Sequence, residues 1–231
     1  VGLSAPGDCH VYLIEGDDAL ALVDCGMAPD PRAILGQIRQ DGLDPARLRW
    51  CFLTHAHFDH AGGCAALREM GVRVAGSPVA DRVLRLGAEG YYGLQGSDEW
   101  IENWRGMPRS RVDDTAEDGR VFDLGGVTVR AIATPGHSPD SVCYLMTRRG
   151  SGRKDLFSGD TVFYRGFISV LHPALSDMEH YPQGIRALSG LGIDGLFPGH
   201  LMWVLSGGQQ YIDIADRAFR EGQVPENKPF S

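Results

Sequence analysis

The sequence predicts an α/β (α+β) chain in which helices pack outside sheets. Three observations point there. Short apolar runs alternate with helix-spaced apolar residues through the first half, and the chain turns strand-rich after about residue 117. Glycine makes up 31 of the 231 residues with no repeat period and no low-complexity tract, so it marks many tight turns between short elements.

Val11–Ile14 and Ala19–Val23 are two apolar runs separated by Glu15-Gly16-Asp17-Asp18, the pattern of a hairpin. Pro31 stands where a helix can begin, and Ile34, Leu35 and Ile38 follow at helical spacing up to Gly42. Leu48–Leu53 reads as a short strand, 65–70 as a helix, 72–75 as a strand and 78–86 as a further helix. Between Gly87 and Ala116 the periodicity fails. Tyr91, Tyr92, Trp100, Trp104 and Met107 lie there among charges, and long irregular segments of this kind are usually functional loops or lids. Strands are then predicted at 120–124, 127–133, 141–146, 155–157 and 195–197, with helices at 181–188 and 209–221. No linker stands out. The expectation is one domain over 1–231 with an irregular, aromatic-rich insertion at about 87–116.

Composition narrows the function classes. At 43% hydrophobic and 23% charged, the chain is ordinary for a globular protein, and folding is expected to bury roughly 70% of the unfolded surface. A net charge of −8 repels a phosphate backbone and argues against a nucleic-acid partner. No stretch approaches the roughly 20 apolar residues of a spanning helix, which argues against membrane insertion. Five cysteines are scattered without a CxxC pair, and Val1–Gly7 has neither a basic nor an apolar leader region; both readings favour a cytoplasmic location.

Chemistry concentrates in Thr54-His55-Ala56-His57-Phe58-Asp59-His60, at the end of an apolar strand. His55 and His57 are two apart and project to one side, while Asp59 and His60 fall where the chain turns toward a helix. Three imidazoles packed at a strand end are costly unless something shares their lone pairs, so the cluster reads as a metal site for Zn²⁺, with Fe or Mn as alternatives. Thr134-Pro135-Gly136-His137, Ser158-Gly159-Asp160 and Phe197-Pro198-Gly199-His200 repeat one pattern: an apolar run, a turn residue, then one His or Asp.

The ordered set of His55, His57, Asp59, His60, His137, Asp160 and His200 resembles the metallo-β-lactamase superfamily over nearly the whole chain, and Val23-Asp24-Cys25-Gly26 looks like its VDxG turn. The resemblance implies a four-layer αββα sandwich. It implies two divalent metal ions, expected to be Zn²⁺: His55, His57 and His137 would hold one, Asp59, His60 and His200 the second, with Asp160 bridging. Asp24 matches a position that orients a ligand histidine. A metal-bridging hydroxide would attack the carbonyl of a carboxylic ester, lactone or thioester, with Asp59 positioning it and handling its proton. Tyr164 is a candidate donor to the leaving oxygen, by analogy with lactonases whose spacing differs by one residue.

Among relatives, β-lactam hydrolysis is less favoured because Asp160 is acidic, and His57 stands where the di-iron electron-transfer branch has Glu. Only 31 residues follow His200, too few for the glutathione-gripping extension of glyoxalase II-type enzymes. The partner expected is a small-molecule acyl substrate. A mononuclear iron persulfide dioxygenase and a non-catalytic metal-binding module are the remaining alternatives.

Overall fold

The computed structural model describes residues 7–93, 99–171 and 175–228. The chain divides into two compact units, one ending at Ala116 and the other beginning at Glu117.

The first unit is built on a five-stranded sheet. Strands β1 (Tyr12–Glu15) and β2 (Leu20–Val23) form the predicted hairpin, with Tyr12 opposite Val23 and Glu15 opposite Leu20. Helix α1 (Arg32–Gln40) follows, turning Ile34, Leu35 and Ile38 inward. Strand β3 (Leu48–Phe52) lies parallel to β2, and its end leads into two short helices, α2 (Phe58–Ala61) and α3 (Cys64–Glu69). Strand β4 (Arg73–Gly76) and the two-residue β5 (Asp114–Thr115) complete the order β1-β2-β3-β4-β5. All four residues of β2 are buried, as expected for a central strand covered on both faces. The Asp113 carboxylate, just before β5, accepts two bonds from the Arg68 guanidinium (2.7 and 2.8 Å) and one from Val74 N (3.1 Å), which ties this short edge to β4.

The stretch from Gly87 to Ala116 is more regular than the sequence suggests. Helix α4 runs Pro78–Tyr92 from a Ser77 cap whose hydroxyl accepts from Ala80 N (3.0 Å), and α5 covers Glu99–Gly106. The periodicity fails because Gly87 sits inside α4 at φ 73°, ψ 168°, which turns the residues after it onto a new face. Residues 94–98 of this stretch lie outside the described residues.

The second unit holds the other five-stranded sheet. Its strands are β6 (Val121–Asp123), β7 (Val127–Ala133), β8 (Val142–Arg148), β9 (Lys154–Gly159) and β10 (Gly195–Pro198), in the order β10-β9-β8-β7-β6. β10 runs parallel to β9, and the other pairs are antiparallel. Helices α6 (Tyr181–Ala187) and α7 (Gln209–Arg220) cover it. They close a core of Ile132, Leu145, Leu156, Ile185, Leu196 and Ile212. The predicted strands and helices of this half recur within a few residues of their expected ends.

Helix α6 seats by backbone contact. A Cβ on Gly184 would stand 2.6 Å from the Pro135 carbonyl oxygen, just beyond β7. Gly36, on α1, has nothing within 4 Å of the same position. Gly184→Ala should therefore cost about 1–3 kcal/mol by overpacking, while Gly36→Ala should stabilise by about 0.5–1 kcal/mol. Opposite shifts of the chemical-denaturation midpoint check this pair.

Candidate metal centre

In the first unit the site grows from the carboxyl ends of β2 and β3, neighbouring strands that run the same way. Asp24, the first residue after β2, takes the left-handed conformation (φ 58°), which Asp tolerates better than most residues. Its backbone N–H donates to Phe52 O (3.0 Å), so the turn is pinned to β3. The buried Asp24 carboxylate then accepts three bonds: Oδ1 from Thr54 N (2.7 Å), Oδ2 from Thr54 Oγ1 (2.8 Å) and from His60 Nδ1 (2.8 Å). Without such donors, burying the charge would cost several kcal/mol.

These bonds set the imidazole tautomers. The single hydroxyl proton of Thr54 is given to Asp24, so Thr54 Oγ1 accepts from His55 Nδ1 (3.0 Å). His60 Nδ1 likewise donates to Asp24. Both rings therefore carry hydrogen on Nδ1 and present the Nε2 lone pair, the form that binds metal. The His55 ring centre lies 4.4 Å from that of His57 and 4.0 Å from that of His60, and Asp59 Oδ2 is 3.5 Å from His60 Nε2. Trp104 of α5 packs edge-on against His57 (5.1 Å between ring centres) and also meets Phe58 and Tyr92. Part of the aromatic-rich stretch thus buttresses a candidate ligand, a role that residue type alone did not assign.

In the second unit β7 and β9 both run antiparallel to β8, and β10 runs parallel to β9. The carboxyl ends of all three therefore point the same way. His137, Asp160 and His200 follow those ends, and Gly199 N donates to Gly159 O (2.8 Å) to draw two of the turns together. His137 Nδ1 donates to the Ser169 carbonyl (2.9 Å), leaving Nε2 to accept. Asp160 Oδ2 stands 3.7 Å from His137 Nε2 and 3.7 Å from His200 Nε2. That separation is long for a hydrogen bond. It is close to the spacing kept by two donors that each lie about 2.0–2.2 Å from a shared ion. The donor set fits a divalent metal.

Tyr181 organises this half and was not singled out by sequence beyond its place in a helix. Its buried hydroxyl donates to Thr161 O (2.9 Å) and accepts from Ser169 N (3.3 Å). One phenol thus ties the segment after Asp160 to the residue that holds His137. Burial pushes its pKa well above the usual phenol value, so the hydroxyl keeps the proton it donates.

The predicted ligands are thus His55, His57, Asp59 and His60 in the first unit and His137, Asp160 and His200 in the second. The Tyr164 ring stands against Tyr211 of α7 (4.8 Å between centres), and the two hydroxyl-bearing rings interact. Of the remaining histidines, His10 bonds Tyr12 and His180 pairs with Asp177, while His172 lies outside the described residues.

The family model of the metallo-beta-lactamase superfamily matches residues 4–206. The chain belongs to this superfamily. An atrochrysone carboxyl ACP thioesterase of Aspergillus fumigatus is 32% identical over 77% of the chain and 46% of its own length. Lactamase-like protein nscB of Neosartorya fischeri is 27% identical over 84% of the chain and 50% of its own length. The chain thus spans about half the length of these relatives. Among solved structures, the metallo-beta-lactamase GOB-18 of Elizabethkingia meningoseptica superposes with a TM-score of 0.73 at 19% identity, covering 93% of the chain and 84% of its own. A Cronobacter sakazakii metallo-beta-lactamase with a mutated HARLDQ motif gives 0.72 at 23%, covering 94% and 90%. The superfamily fold is α/β with two mixed sheets and helices, in agreement with the αββα class expected from the sequence. Divalent-metal binding goes with that fold and with the histidine–aspartate donors described above.

Two substitutions test the hubs. Asp24→Asn takes away a charged acceptor shared by Thr54 and His60, and should weaken metal affinity about 10–100-fold, read by competition with a chromophoric chelator. Tyr181→Phe keeps the ring but deletes the hydroxyl, and should lower unfolding free energy by about 1–3 kcal/mol in denaturant titration.

Proposed function

We propose that this chain is a dinuclear metal-dependent hydrolase acting on a thioester, with simple esters and lactones as the neighbouring substrate classes. The observation that supports the reading is the Asp160 carboxylate oxygen held 3.7 Å from the Nε2 atoms of both His137 and His200, where a carboxylate serving two ions would stand. The thioesterase relative, at 32% identity, supports the choice of bond. The β-lactamases are alike at the level of fold, at 19–23% identity, and add nothing on substrate.

In this reading His55, His57 and His137 would hold one ion, Asp59, His60 and His200 would hold the other, and Asp160 would add its carboxylate to the set. Bound divalent ions supply Lewis acidity and lower the pKa of water. The chain's own part is positioning. Asp24 directly, and Thr54 in relay, keep the His60 and His55 rings in the metal-binding tautomer. Ser169, itself held by Tyr181, does the same for His137. Asp59 is the candidate proton carrier, because its side chain is 16% exposed beside a His60 that is fully buried. Trp104 presents an apolar edge to His57, consistent with an acyl substrate. Tyr164 takes a packing role against Tyr211 in this scheme.

The test is a panel of acyl thioesters, esters, lactones, β-lactams and persulfides, assayed with and without chelator, alongside elemental analysis. About two divalent ions per chain and chelator-sensitive thioester hydrolysis are expected. About one iron per chain with oxygen uptake on persulfides would overturn the proposal. Asp59→Asn should lower kcat by about 10²-fold or more with little change in Tm, and Tyr164→Phe should leave kcat within about twofold.

A further inference from the structure

Behind the Asp24 turn lies a cluster that the proposed chemistry does not use. The Sγ atoms of Cys25, Cys51 and Cys64 all lie within 4.8 Å of one another, and all three residues are buried. Cys25 Sγ and Cys64 Sγ are 3.5 Å apart, and Cys25 Sγ donates to the His60 carbonyl (3.2 Å). Two backbone segments in close contact create this proximity. A Cβ on Gly62 would meet Met27 O at 2.2 Å, and one on Gly63 would meet Cys25 O at 2.9 Å, so side-chain-free positions let residues 25–27 and 62–63 touch.

We propose that Cys25 and Cys64 are a reversible oxidation site that closes to a disulfide when a small peroxide reaches them. The sulfur atoms must approach by about 1.5 Å to reach the bonded distance. Both residues are placed to allow that movement. Cys25 lies in the turn between Asp24 and Gly26, both at positive φ, and Cys64 opens α3 directly after Gly62-Gly63. The step balances without a further reactant. The Cys64 thiolate attacks one peroxide oxygen, the O–O bond breaks, and the departing hydroxide takes a proton to leave as water. Cys25 sulfur then attacks the resulting sulfenic acid, an S–S bond forms, and the displaced hydroxide leaves as a second water with the Cys25 proton.

Electrostatics favour this outcome over capture of a soft cation by the same three sulfurs. Holding an ion would take thiolates beside the buried Asp24 carboxylate, whereas a disulfide carries no charge. Oxidation would also withdraw the S–H bond from the His60 carbonyl, one residue from the carboxylate that holds the same histidine.

Peptide mapping of the whole reduced chain after hydrogen peroxide treatment under native conditions tests the site. Free thiols should fall from five to three, with a cross-linked peptide joining Cys25 to Cys64 and full recovery on adding dithiothreitol. Cys143→Ser should keep the cross-link and Cys64→Ser should abolish it. Five thiols surviving excess peroxide would overturn the proposal, as would a cross-link through Cys51 or irreversible acid formation at Cys64 without any cross-link. The decisive readout is made on the unmodified chain, so it stands whether or not the Cys64 variant folds.

Discussion

The Asp24 carboxylate is the interaction on which the first half of the site depends. It is buried and accepts from three donors, and each of those bonds organises something further along the chain. The bond from Thr54 N turns the chain at the end of β3; the bond from Thr54 Oγ1 spends the hydroxyl proton and so dictates the His55 tautomer; the bond from His60 Nδ1 dictates the other. A single negative charge out of water thereby aligns two neutral imidazoles. Its own left-handed backbone geometry is tolerated because the Asp24 and Cys25 amides are both bonded to the segments it holds.

The second half reaches the same end with neutral groups. Tyr181 and the Ser169 carbonyl do for His137 what a carboxylate does for His60. The acidic group here, Asp160, lies among the donors instead of behind them, at equal distance from two histidines. Strand direction makes this possible. Three strands of one sheet that run the same way deliver three turns to one end, and a glycine–glycine backbone bond brings two of those turns into register. A precise constellation requires such rigid supports, because donors misplaced by an ångström lose most of their value.

The thiol cluster adds a layer behind the ligands. Cysteine packs there as a small apolar side chain, yet the glycines that admit it also bring two sulfurs nearly into contact. The backbone approach at Gly62 and Gly63 thus serves the ligand helix and the thiol pair together. Substitution at either glycine would disturb both.

Much of this was legible from the chain alone. The alternation of apolar runs and turn residues located the strands and most helices, because burial imposes a period that sequence displays directly. The seven ligand candidates and Asp24 were identified because metal-binding residue types at strand ends are rare by chance and ordered in a family pattern. What escaped was whatever depends on neighbours distant in sequence. Gly87, with non-helical φ and ψ, kinks the chain inside α4 and breaks its period, and β5 is two residues long and pairs with β4. Tyr181 looked like one more helix residue until its hydroxyl was seen between Thr161 and Ser169, and the packing of the Tyr164 ring against Tyr211 had no signal in the sequence. Sequence determined which donors exist and at which strand ends they stand. Tertiary structure decided which nitrogen each ring presents and which side chains hold it there, because hydrogen-bond partners are chosen by distance in space and not by distance along the chain.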